Sequence, residues 1–188
     1  MKFIFTLLIP ILMLLPCRAQ ERKESAREEI AQLRKGALLV RLKTGSLQLK
    51  ALEESGNTKD AAAYRKKMED ENNEVVKAFR EEFRFCPVYF FYSNNSGQIR
   101  AGHLAGCLLN KDLQPDSSLV PDTNYFLTAE TGFSEEQHIE GLIIMDRNFK
   151  QLETPFPFLI RKYQGPAVKR SVAQMVKLLD KELLSKGR

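Results

Sequence analysis

Two histidines and three cysteines are the residues of this 188-residue chain best suited to nucleophilic, redox or metal chemistry. Cys17 lies in the apolar N-terminus, so the informative pair is Cys86 and Cys107. Folding residues 86–107 about a turn at Ser96-Gly97, with Asn95 facing Gln98, sets Cys86 opposite Cys107 on adjacent antiparallel strands. Cα atoms paired in that way lie about 4.5–5.5 Å apart, which suits a disulfide. A structural Cys86–Cys107 bond is therefore the expectation. A bulge at Gly102 would shift the register by one and leave two buried free thiols instead, and a redox or nucleophilic role is the third alternative. The spacing excludes a thioredoxin-style Cys-x-x-Cys. His103 and Cys107, four apart on a strand, would share a face about 13 Å apart, too far for a dyad. His138 falls in the polar stretch Ser134-Glu135-Glu136-Gln137-His138, which reads as a capped surface turn.

Asn110, Asp112, Asp116 and Asp122 gather in one loop, yet they lack the alternation and closing glutamate of a calcium-binding hand, so a solvated loop is expected. The chain has no glycine-rich phosphate loop, no Gly-x-Ser-x-Gly and no His-Glu-x-x-His. On these grounds no catalytic residue, cofactor or metal ligand is assigned. Asn72-Asn73, beside Glu71 and Glu74, reads as solvated helix surface.

The elements that would position these residues follow from the rest of the pattern. Lys2, the apolar stretch Phe3 to Leu15 and Cys17-Arg18-Ala19 have the order of a secretory signal over residues 1–19, cleaved between Ala19 and Gln20. Leu14-Leu15-Pro16-Cys17 allows a competing reading as a lipoprotein signal acylated at Cys17, though Pro16 stands where a small residue belongs. Removing Lys2 and Arg18 takes two charges from the formal +5, leaving +3, weak grounds for a nucleic-acid or membrane-surface partner. The expected location is periplasmic or secreted, where a disulfide persists.

Residues 20–83 read as an antiparallel helical hairpin. Ile30, Leu33, Ala37, Val40, Thr44, Leu47 and Ala51 recur at helical steps through a first helix over about 24–54. Gly36 and Gly45 weaken its interior or mark a break. Ser55-Gly56-Asn57 turns the chain. Ala61, Tyr64, Met68, Asn72, Val75, Phe79 and Phe83 then share one face of a second helix. Residues 84–188 switch to an α+β pattern. Val88-Tyr89-Phe90-Phe91-Tyr92 has no polar alternation, as in a strand covered on both faces. Strands follow at 98–109, 124–129, 141–146 and 158–163, with 150–153 pairing back, and a helix begins near Pro166. The fold class expected is α+β: a helical hairpin, a mostly antiparallel sheet of five or six strands and a C-terminal helix, residues 20–188 forming one folding unit.

Ala37-Leu38-Leu39-Val40-Arg41-Leu42, Phe85-Cys86-Pro87-Val88-Tyr89-Phe90-Phe91-Tyr92-Ser93 and Phe156-Pro157-Phe158-Leu159-Ile160-Arg161-Lys162-Tyr163 give the chain a loose resemblance to uncharacterised secreted and periplasmic proteins of Bacteroidota. The resemblance implies an envelope location and no activity. The functional expectation is an exported, non-catalytic binding, scaffold or accessory module that uses the hairpin or a sheet edge against another envelope protein. The alternative is an enzyme whose site is assembled from His103, Cys107 and the 110–122 loop.

Overall fold

The computed structural model describes residues 9–135, 138–163 and 170–187, with side chains from residue 20 onward. Its elements, in chain order, are α1 (Ile9–Lys35), β1 (Ala37–Leu42), α2 (Ser46–Glu54), α3 (Thr58–Glu82), β2 (Val88–Tyr92), a 3-10 turn at Ser93–Asn95, α4 (Ser96–Arg100), β3 (Leu108–Leu109), β4 (Phe126–Phe133), β5 (Glu140–Met145), β6 (Leu159–Arg161) and α5 (Val172–Lys186). The fold is α+β with six strands in the order β3-β2-β1-β4-β5-β6. β1 runs parallel to both β2 and β4, and the three outer pairs are antiparallel, so the sheet is mostly antiparallel as expected. The cleavage point expected between Ala19 and Gln20 falls within the span of α1, and residues 1–8 and the Cys17 side chain lie outside the described part. No helix among the described residues is long and apolar enough to cross a membrane.

The long first helix expected over 24–54 is corrected. α1 stops at Lys35, and Ala37–Leu42 is the central strand of the sheet. Strong helix formers flank a run of six residues with one charge, and burial on both faces favours a continuous apolar strand over the helical spacing that its members happen to satisfy. Ala37, Leu38, Leu39 and Val40 are all inaccessible to solvent. The hairpin survives in shorter form, α2 and α3 joined at Ser55–Asn57, with Asn57 accepting the Asp60 N–H through its side chain. The return strand expected over 98–109 shrinks to Leu108-Leu109. Residues 96–100 are helical instead, and Gly102 and Gly106 take positive φ (84° and 74°), which turns the chain twice before it can pair.

Three long helices cover one face of the sheet. Ile30 and Leu33 of α1, Val75, Val76 and Phe79 of α3, and Met175, Val176 and Leu179 of α5 pack on Leu38, Val40, Leu127, Ala129 and Leu142. Val75, Val76, Ala78 and Phe79 share this core with the strands, so the C-terminal half of the hairpin's second arm is part of one hydrophobic interior. α5 starts on a capping box: the Ser171 side chain accepts from the Gln174 N–H, and Gln174 accepts from the Ser171 N–H. The opposite face carries a smaller cluster in which Ala37, Leu39, Phe91, Leu108 and Phe126 meet Ile99 of α4.

Candidate functional site

The cysteines do not meet. β3 pairs with β2 as Phe90↔Leu109 and Phe91↔Leu108, a register that sets Cys107 well away from Cys86. Cys86 packs against the helical core and Cys107 belongs to the cluster on the opposite face; both are free thiols. The expected disulfide hairpin is therefore not formed, because the 3-10 turn and α4 replace the tight turn at Ser96-Gly97. Burial pushes the Cys86 thiol up to about 12 and raises that of Cys107, so both stay protonated and are poor nucleophiles. His103 is exposed, with Nδ1 at 3.0 Å from Gln98 Oε1. His138, exposed at φ 49°, donates its backbone N–H to the Ser134 carbonyl in a surface turn.

The 110–122 loop is shaped by its own side chains. Asn110 Oδ1 accepts the N–H groups of Asp112 and Gln114, and Asp116 Oδ1 accepts both the N–H and the hydroxyl of Ser118. Those two bonds hold the Asp116 carboxyl below its ordinary range. Among the described residues no group of three or more His, Cys, Asp or Glu side chains is arranged to hold a metal ion. The structure thus brings none of His103, Cys107 and the loop carboxylates into one constellation.

Two places that the sequence reading did not single out are better built. The first is the outer edge of β2. β3 pairs only with Phe90 and Phe91, so the first half of β2 runs past its end. The Pro87 carbonyl accepts the Leu38 N–H at 2.9 Å. Strand alternation then turns the backbone groups of Val88 outward, beyond β3. Beside them lies a groove of about 450 Å³ walled by Phe79, Phe83, Cys86, Val88, Tyr89 and Leu119. Its charged lining residues are cations, Arg80 and Lys111. Arg80 lies over the Phe90 ring at 5.7 Å and donates to the Lys111 carbonyl.

The second is a cleft outside the carboxyl ends of β1 and β2. The connection leaving β1 enters α2 and α3 on the helical face, whereas the one leaving β2 enters α4 on the other. In open sheets with parallel strands, a crevice between two such diverging connections is where ligands bind. Asn72, buried on the inner stripe of α3, grips the β1 exit at both ends of one residue: Oδ1 accepts the Lys43 N–H at 3.0 Å, and Nδ2 donates to the Lys43 carbonyl at 2.8 Å. This corrects the reading of Asn72 as solvated surface. The helical stripe itself already placed it inside, and its amide is satisfied by backbone rather than by water. Thr44 N–H donates to Ser93 Oγ, and the two hydroxyls lie 2.9 Å apart. Gly45 turns with φ 59°, where a Cβ would come within 2.5 Å of the Tyr64 ring, so only glycine fits.

Arg41 reaches this cleft from β1. Its Nη1 donates to Glu130 Oε2 at 2.8 Å, the partner set by the register that aligns Val40 with Ala129. Its guanidinium carbon lies 5.3 Å from the Phe149 ring centre, and Arg100 approaches the same ring at 5.5 Å. Arg147 lies over Phe126 at 5.6 Å. The sequence signal for Arg41 is a lone cation inside a six-residue apolar strand.

No protein-family model, curated protein or solved structure matches this chain.

Proposed function

We propose that the protein is an exported, non-catalytic binding module of the cell envelope, and that it holds an extended segment of another envelope protein against the open half of β2. The observation that carries this is the end of β3 at Leu109, which leaves Val88 presenting backbone groups beside an apolar groove. An added strand gains affinity from main-chain hydrogen bonds and specificity from alternate side chains. Here Phe79, Phe83 and Leu119 would receive apolar residues of the segment, and Arg80 and Lys111 an acidic one. The signal-like residues 1–19 support export, and two thiols held in the protonated state support binding over thiol catalysis.

A photo-crosslinking amino acid at Tyr89, introduced in the native host, tests the proposal. The expected result is an adduct between a chain beginning at Gln20 and one envelope protein, abolished by Val88→Pro. That substitution removes an outward N–H without touching the pairing with β1, so the melting temperature of the purified variant should hold. An adduct that persists in Val88→Pro, or one formed only with a second copy of this chain, would overturn the reading.

A further inference from the structure

We propose that the cleft at the carboxyl ends of β1 and β2 is an oxyanion site, which takes the carboxylate or phosphate group of a small ligand. It is separate from the β2 edge: its polar lining is Arg41, Lys43, Thr44, Tyr64, Ser93 and Glu130, with Met68 and Gly45 beside them, around a volume of about 240 Å³. That volume fits a small anion rather than a drug-sized molecule.

Three observations converge on it. Arg41 Nε is buried and lacks a hydrogen-bond partner, the one such side-chain atom among the described residues. An unpaired donor there is costly; because the atom is closed to solvent, an acceptor reaches it only with a small side-chain shift, and a side-on oxyanion is the acceptor that guanidinium geometry fits best. Second, the hydroxyl pair holds a spare proton. If Thr44 donates to Ser93, the Ser93 O–H is free; if Ser93 donates to Thr44, the Thr44 O–H is free. Third, positive charge outweighs negative. Glu130 occupies one edge of Arg41, and Glu71 lies 3.9 Å from Lys43 but is shared with Lys67. Arg100, stacked on the same Phe149 ring as Arg41 though outside the cleft's lining, adds a further cation nearby. The guanidinium of Arg41 is held between Glu130 and that ring, so little side-chain entropy remains to be lost on binding.

The test is a titration of the 15N-labelled chain with sodium phosphate and, separately, with sodium succinate, at constant ionic strength. The Arg41 Nε–H resonance and the Thr44 and Ser93 amides should move together and saturate with one of the two anions, which identifies the phosphate or the carboxylate source. Arg41→Lys keeps the charge but loses the planar fork, and should weaken binding at least about tenfold. Lys43→Gln, at an exposed position that leaves folding unaffected, should weaken it by about threefold. The proposal is overturned if neither anion gives a saturable shift, if sodium chloride alone gives the same shifts, or if Lys43→Gln binds as the parent does.

Discussion

On one face of the sheet three helices bury a continuous apolar layer; on the other, a five-residue helix and the turn at 146–149 cover the strands with arginines laid over phenylalanines. The first face is closed by the larger apolar area, with Arg34 over Phe85 and Arg80 over Phe90; the second closes over a smaller buried cluster to which three cation–ring contacts are added. Area scales with what is removed from water and is insensitive to salt, whereas each cation–ring contact contributes about 0.5–1 kcal/mol at exposed sites. The difference is one of stability: the helical face supplies most of the buried apolar area that holds the chain together, and the second face keeps its cations near water.

Substitution of one phenylalanine on each face sharpens that contrast most. Phe79 is 1% exposed and packs against the rings of Phe83 and Phe90. Phe79→Ala should cost about 3–5 kcal/mol, a fall in melting temperature of roughly 10 °C or more. Phe149 is half-buried against Phe91, and Phe149→Ala should cost only about 1–2 kcal/mol in thermal denaturation. Equal losses at the two positions would erase the distinction between the faces. Asn72→Ala should come next, at about 1–2 kcal/mol, because both backbone groups of Lys43 lose their partner. Hydrogen exchange should then speed up at Lys43 while the amides of β4 stay protected.

The smallest effect is expected where the helical layer meets the second face's turn. Glu29 of α1 has its pKa raised above the ordinary 4.5, first by burial and then by the nearby Asp146 carboxylate. Tyr125, also facing Glu29, is pushed up to about 12, and Arg22, Lys150 and Glu153 line the same small cavity. The folded state holds the Glu29 proton longer than the unfolded chain does. Its contribution is therefore fully present below the ordinary pKa and is lost as pH rises through the raised one. Glu29→Gln should flatten the pH dependence of the melting temperature in that window and slightly stabilise the protein above it. A variant less stable than the parent at neutral pH would show that the carboxylate is a favourable partner there.

Much of the layout is legible in the residues. The seven-residue stripe from Ala61 to Phe83 defines α3 and even places Asn72 inward, and the unalternating Val88–Tyr92 run is a doubly covered strand. β1 is hidden because its six residues also satisfy a helical repeat that starts in α1. Only pairing with β2 and β4, remote in sequence, decides between the two. The same dependence on distant partners hides the cleft. Arg41, Asn72, Ser93 and Glu130 come from four elements, and nothing local announces that their strands end side by side. The cysteine pairing fails for a local reason instead: the Ser93–Arg100 segment coils where that pairing needs a two-residue turn.

The central place of β1 also sets the order in which the molecule can be assembled. β1 is the first strand in the chain, yet its neighbours are residues 88–92 on one side and 126–129 on the other. As the chain emerges, this apolar strand has both edges open until Tyr92 has followed it, and one open until Ala129 has. Contacts of such long separation slow folding and leave unpaired edges exposed to other chains. Both edges of β1 are closed only when Ala129 has arrived, and the sheet is complete only with Arg161.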